Sequence, residues 1–169
     1  MLRILRGFLL FGVTIVAAAC GVNDADRAVN EYVDAINPIL ESHAVLTEST
    51  NQLNVTAARA VSSGDRVRIV TALENYRDKL DMVVIQIRRE LVELRALNAP
   101  AEVAELHRKL IEGLLLEAEA QQDSSVWYSN VLGGGNPDDR ILDRANDQLR
   151  EATLMWVDAK QLLLRIQDD

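Results

Sequence analysis

The chain has 169 residues, of which 49% are hydrophobic, 26% charged and 4% aromatic, and its formal net charge is −8. This apolar content excludes a disordered chain, and the length is sufficient for one domain with its own hydrophobic core. The net negative charge makes nucleic acid an unfavourable partner, because that affinity comes mainly from cations that neutralise phosphates, and a single cysteine excludes an intrachain disulfide.

The first segment of the chain has the pattern of a secretory signal. Arg3 and Arg6 lie in the first six residues without an acidic residue, and the next thirteen residues carry no charge. An apolar stretch of that length is too short to span a membrane comfortably and matches the central region of a signal peptide. We therefore expect residues 1–19 to be a signal peptide and residues 20–169 to form one domain.

The segment Ala17-Ala18-Ala19-Cys20 resembles the lipobox of bacterial lipoproteins, with Ala17 where leucine is usual. The resemblance covers residues 1–21. It implies cleavage before Cys20, lipidation of Cys20, and attachment to the cell membrane or outer membrane, facing the periplasm or the exterior. Ordinary secretory cleavage at the same place and an uncleaved anchor are the alternatives.

Helical periodicity follows in four segments, at about residues 25–61, 65–97, 100–132 and 137–167. Apolar residues recur at alternating steps of three and four along each segment, which is the seam of helices that pack at shallow angles. Breaks containing Gly64, Pro100 and Gly133–Gly135 separate the segments, and Pro38 predicts a kink or a cap inside the first one. No strand-like alternation occurs.

The sequence therefore predicts an all-α fold, an antiparallel up-down-up-down four-helix bundle with short loops. If the first helix leaves the membrane soon after Cys20, the loops at Ser62–Gly64 and Gly133–Asn136 lie at the far end. We call that end the distal tip.

His43 lies on the seam of the first helix, and counting from the loops brings it near Trp156, which is roughly opposite Gly113. A ligand or haem pocket on His43 is one interpretation, and a hydrogen-bonded core histidine is the other. His107 is about two turns away along the axis, too far to share a metal ion with His43. We expect no metal and no cofactor.

The same counting aligns Thr50, Tyr76 and Gln121 as a polar layer in the distal half of the seam. Buried polar groups have to be paired, so these side chains are expected to bond to one another or to water. Together with His43 they are the candidate ligand site of a small-ligand-binding bundle; the alternative is a layer that sets the register of the helices.

Trp127 and Tyr128 lie beside the triple glycine at the distal tip and form a candidate contact for another envelope protein. Tyr128 falls on the seam, so Trp127 is the residue expected to be exposed. Catalytic motifs are missing from the sequence, and acidic residues such as Glu90 and Glu93 are interpreted as a solvated face. The sequence thus predicts a non-enzymatic envelope lipoprotein, a structural or protein-interaction module, with ligand binding as the alternative.

Overall fold

A computed structural model describes residues 24–168, and this part of the chain is a bundle of four α-helices without strands. The helices are α1 (Asp24–Ser63), α2 (Arg66–Ala96), α3 (Ala104–Leu132) and α4 (Asp139–Asp168), and a 3-10 turn at Ala101–Val103 precedes α3. The all-α bundle predicted from the sequence is confirmed, and the predicted helix ends agree within a few residues. Cys20 and the signal segment lie outside the described residues.

The turn between α1 and α2 shows why the chain reverses there. Gly64 has φ of 69°, a left-handed conformation that glycine adopts without steric cost. Asp65 then accepts hydrogen bonds from the backbone N–H groups of Val67 and Arg68, which caps α2. This tight connection makes α1 and α2 antiparallel neighbours.

Pro38 does not end α1, which continues through it from Asp24 to Ser63. The interpretation of Pro38 as the cap of a second helix is therefore wrong. Proline removes one N–H, whose partner would be the carbonyl of Asp34. Both residues are exposed, so water can reach that carbonyl, and the apolar seam on the other side of α1 holds the helix together.

The helices pack in sequence order, α1 on α2, α2 on α3 and α3 on α4, while the main chains of α1 and α4 approach each other much less closely. A large apolar cluster fills the half of the bundle that holds the N-terminal end of α1, and it includes Ile36, Ile87, Leu94 and Leu106. A smaller cluster around Tyr76, Leu80 and Ala57 fills the distal half. Polar side chains lie between the two clusters.

None of the helices within residues 24–168 has the length and hydrophobicity needed to cross a membrane.

Candidate functional site

The centre of the bundle holds a buried group of one histidine, two glutamates and one tryptophan, to which each helix contributes one side chain. His43 of α1 lies between two carboxylates: its Nδ1 is 2.9 Å from Glu90 Oε2 of α2, and its Nε2 is 3.1 Å from Glu117 Oε2 of α3. The imidazole stacks on the Trp156 ring of α4, with 4.6 Å between ring centroids and 21° between planes. We call these four residues the histidine cluster.

Further hydrogen bonds hold both carboxylates in place. Glu90 Oε1 accepts from the Ser42 hydroxyl at 2.9 Å and from the Gln86 amide at 3.3 Å. Glu117 Oε2 accepts a second bond from Trp156 Nε1 at 3.3 Å. Because buried charges are costly unless they are paired and hydrogen-bonded, these contacts are what makes the cluster compatible with a folded core.

The geometry determines the charge of His43. An ionised glutamate accepts hydrogen bonds and cannot donate them, so with Glu90 and Glu117 both ionised the two ring nitrogens carry protons and the ring is an imidazolium. Burial by itself lowers the pKa of His43, but the adjacent carboxylates of Glu117 and Glu90 outweigh it and raise the pKa to about 10. The cation faces the Trp156 ring, an arrangement that adds cation–π attraction.

The prediction that His43 and Trp156 pack together is confirmed, and His43 is the hydrogen-bonded core histidine of the second interpretation. Glu90 was predicted on a solvated face, and this is wrong, since its relative exposure is 1%. Glu117 was missed altogether. The spacing could have identified both, because Glu90 follows Ile87 by three residues and precedes Leu94 by four, and Glu117 has the same relation to Leu114 and Gln121.

Gly113 lies against the indole of Trp156, as predicted. A Cβ at this position would lie 3.4 Å from Met155 Cβ and 3.5 Å from Trp156 Cε2, which is ordinary van der Waals contact. A methyl group therefore fits here, whereas a larger side chain would meet the indole.

We expect Gly113→Ala to raise the free energy of unfolding by about 0.5–1 kcal/mol, because alanine loses less backbone entropy than glycine in a helix. Gly113→Leu should lower it, since the added carbons displace Trp156 from His43. Urea unfolding of both variants measures whether alanine raises and leucine lowers the free energy of unfolding. A loss of stability with alanine would show that the indole needs the full width of a glycine.

The predicted polar layer is buried but not connected. Thr50, Tyr76 and Gln121 are each 8–9% exposed, yet no hydrogen bond joins them to one another within the described residues. The Thr50 hydroxyl donates to the Leu46 carbonyl of its own helix at 2.8 Å, and the Tyr76 ring packs edge-on against Tyr128. Of the expected bonding to one another or to water, the bonds to one another are therefore not found within the described residues.

Thr47 is the polar residue of this region that stands out. It lies one turn beyond His43 on α1, is 8% exposed, and its hydroxyl has no hydrogen-bond partner in the part of the chain that the structure describes. Sequence reasoning did not single it out, because threonine on a helix usually bonds to the carbonyl four residues earlier, as Thr50 does.

At the distal tip, Trp127 is half-buried rather than exposed. Its Nε1 donates to Asp139 Oδ1 at 3.4 Å, and its ring contacts Tyr128 edge-on. Tyr128 packs onto Tyr76 and closes the end of the smaller apolar cluster, as the seam position predicts. Trp127 is therefore only partly accessible at the predicted contact site.

His107 lies apart from His43, with its Nδ1 3.0 Å from the Tyr32 hydroxyl. Within residues 24–168, no group of three or more His, Cys, Asp and Glu side chains is arranged to hold a metal ion. In the histidine cluster both ring nitrogens of His43 are occupied by carboxylates, so neither has a lone pair for a metal or a substrate.

Comparison with protein families, with curated proteins and with solved structures finds no match to this chain.

One imidazolium between two carboxylates, closed by an indole, ties all four helices together through polar contacts of defined direction. Such contacts are directional, unlike apolar packing, and they fix which residues of the four helices lie side by side.

Proposed function

We propose that this chain is a non-enzymatic, lipid-anchored protein of the cell envelope whose helical bundle serves as a structural or protein-interaction module. Residues 1–19 would be removed as a signal peptide, and Cys20 would carry the lipid. The lipobox-like segment supports the anchor, and the histidine cluster supports the scaffold role of the bundle.

The single observation that carries the scaffold role is the closure of the histidine cluster. Two carboxylates, an imidazolium and an indole N–H lie at the centre of the bundle, where an enzyme or a carrier would bind its ligand. The nitrogens of His43 and the indole N–H of Trp156 are used within the chain. A centre of this kind favours one helix register over other packings rather than presenting groups to a substrate.

The length of the bundle suits a spacer. A helix of 40 residues, as in α1, extends about 60 Å at 1.5 Å per residue. If the N-terminal end of α1 is close to the membrane, the turn at Gly64 and the segment around Trp127 are held far from it. In that arrangement the accessible part of Trp127 would be available to a second envelope protein.

Substitution of Cys20 tests the anchor. We expect the wild-type chain, expressed in a bacterial host, to incorporate labelled fatty acid and to remain with the membrane fraction. Cys20→Ala should abolish incorporation, because the thiol is the acceptor in the resembled family. Fatty-acid label retained by Cys20→Ala would contradict lipidation, and an unlabelled wild-type chain found in the soluble exported fraction would indicate ordinary secretion.

Ligand binding is the second candidate, and the unpaired hydroxyl of Thr47 favours it. A buried hydroxyl without a partner is unfavourable, and a small polar molecule bound beside Thr47 would satisfy it. The buried amide of Gln121 and the hydroxyl of Ser124 belong to the same polar region between the two apolar clusters.

Thr47→Val distinguishes the two candidates. If the hydroxyl is unpaired in solution, the substitution should leave the free energy of unfolding unchanged or raise it by up to about 1 kcal/mol, because an unsatisfied group is removed. If a bound molecule pairs with it, the same substitution should cost about 1–3 kcal/mol. Urea unfolding of the purified wild type and variant measures the difference.

A further inference from the structure

Two unpaired charged surfaces lie on α1 and α2. Asp34 and Glu41 are exposed on α1, and Arg88 and Arg95 are exposed on α2. None of these four side chains forms an ion pair within the described residues. Exposed arginines elsewhere do form them, for example Arg144 with Asp123 at 2.6 Å.

Exposed aliphatic side chains accompany the charges on both helices. Val45 follows Glu41 by one helical turn and is 71% exposed, and Val92 lies between the two arginines and is 68% exposed. We call Asp34, Glu41 and Val45 the acidic face. The arginine face comprises residues at alternating steps of three and four, which lie on one side of a helix: Ile85, Arg88, Val92 and Arg95.

The two faces point in opposite directions. Ser42 and His43 both contact Glu90 of α2, and Glu41 lies about 150° around α1 from the midpoint of those two residues. The acidic face is therefore directed away from α2.

The arginine face is directed away from α1, as the positions of Arg88 and Glu90 around α2 show. Asp81 of α2 accepts a hydrogen bond from Ser125 of α3, and Arg88 follows Asp81 by two helical turns, so it lies on the α3 side. Glu90, which contacts α1, is about 200° around α2 from Arg88. The two faces thus lie on opposite sides of the α1–α2 pair.

The charges on the two faces have the same spacing and the same height. Asp34 and Glu41 are seven residues apart, as are Arg88 and Arg95, which is about 10.5 Å along a helix. Counting equal steps from the turn between Ser63 and Arg66 puts Asp34 level with Arg95 and Glu41 level with Arg88.

The hydrogen bonds of Ser42 confirm this counting. Its hydroxyl contacts Gln86 and Glu90, which lie on either side of the level that the counting assigns to residue 42. The charge match ends two turns beyond Glu41 towards the distal tip, where Glu48 is level with Asp81. A contact between the two faces is therefore confined to residues 34–45 and 85–95.

We infer that the arginine face of one molecule binds the acidic face of a second copy of this chain, side by side and at the same height. Asp34 pairs with Arg95 of the neighbour, Glu41 pairs with its Arg88, and Val45 packs near its Ile85. Because the two faces lie on opposite sides of one molecule, the contact is head-to-tail and extends into rows rather than closing as a two-fold dimer.

The equal height gives all molecules in a row the same direction, with their N-terminal ends on one side. This arrangement is compatible with anchoring in a single membrane, although the pairing of the faces does not depend on an anchor. Two exposed ion pairs and a few aliphatic side chains make a weak contact, which the crowding of molecules on a surface would favour.

Charge reversal of one face at a time tests the inference. The full chain in uncharged detergent micelles is followed by sedimentation velocity over a range of protein concentration, at low salt. We expect the wild type to self-associate and the association to weaken as salt is added. The variants Arg88→Glu with Arg95→Glu, and Asp34→Lys with Glu41→Lys, should each associate at least about tenfold more weakly, because attraction becomes repulsion.

The mixture of the two double variants is the decisive sample. One variant has two acidic faces and the other has two basic faces, so together they should recover association that neither shows alone. The matched control reverses Arg59 and Arg66, two exposed arginines near the distal turn, and should keep wild-type association. Helical content measured by circular dichroism ensures that all variants are folded.

Two results would overturn the inference. One is a mixture that associates no better than its components. The other is a wild type that stays monomeric but binds phosphatidylglycerol vesicles through Arg88 and Arg95, which would assign the arginine face to lipid headgroups.

Discussion

Replacing His43 by leucine is expected to lower the free energy of unfolding by about 3–5 kcal/mol, the cost of leaving buried charges without their partner. Glu90 and Glu117 would keep their places in the core and lose the cation that both of them contact. Leucine fills much of the volume of the imidazole, so the effect measures the loss of charge pairing more than the opening of a cavity. Urea unfolding at neutral pH gives the value.

A second histidine provides the matched control. His107 is half-buried and its ring nitrogen lies beside the Tyr32 hydroxyl, so His107→Leu breaks one hydrogen bond and should cost about 1 kcal/mol. If His43→Leu and His107→Leu lower the free energy of unfolding by the same amount, the pairing of His43 with two carboxylates adds no stability beyond that of one ordinary hydrogen bond.

The triple variant His43→Leu, Glu90→Leu, Glu117→Met completes the comparison. Apolar replacement of all members of a buried ionic group is often neutral or stabilising, so the triple variant should recover most of the stability lost in His43→Leu. Its helices should also be less strictly aligned, because the directional contacts are gone. Poorly dispersed NMR resonances together with retained helicity would show this.

The second large effect is a fall in stability as pH rises from about 6.5 to about 10. The pKa of His43 is raised in the folded protein to about 10, above its value in the unfolded chain. The folded state therefore holds the proton more tightly, and the stabilisation is complete below pH 6.5 and lost as pH rises through 10. The free energy of unfolding can fall by about 1.4 kcal/mol per pH unit. Over this window the total loss amounts to several kcal/mol.

Unfolding of the wild type and of His43→Leu at a series of pH values separates this effect from other titrations. The difference in stability between the two proteins should shrink as pH rises. Burial lowers the pKa of His107, so this residue titrates below the window. Burial raises the pKa of Tyr32 and the pKa of Tyr76 above the ordinary tyrosine value. A difference that stays constant between pH 6.5 and 10 would show that His43 is not held as an imidazolium.

The sequence was a good guide to the helices because each helical signal is local. The turn at Gly64, the cap at Asp65 and the triple glycine depend on neighbours in the chain, and α1 and α2 end within two residues of the predicted positions. The 3-10 turn at Ala101–Val103 was predicted as the first turn of the third helix, and such turns are common at helix N-termini.

The candidate site was predicted in part. His43 and Trp156 could be placed together because equal steps from short loops bring them to one level, and small neighbours such as Ala152 and Ala159 left space for an indole. The carboxylates of Glu90 and Glu117 were missed because a glutamate in a charged chain is usually solvated. Their positions on the apolar seams indicated burial. A buried acidic residue can be predicted, however, only when the group that pairs with it is also identified.

By itself, the sequence determined the helical class, the lengths of the four helices and their antiparallel order, because periodicity and short loops are properties of the chain along its length. The tertiary structure alone decided that the main chains of α1 and α4 lie further apart than those of helices next to each other in sequence. It also decided that the buried Thr47 hydroxyl has no partner among residues 24–168 and that His43 is charged. The charge of a buried histidine depends on groups 47 and 74 residues away along the chain. Only packing brings those carboxylates to the imidazole, and the low polarity of the core then makes the pairing strong.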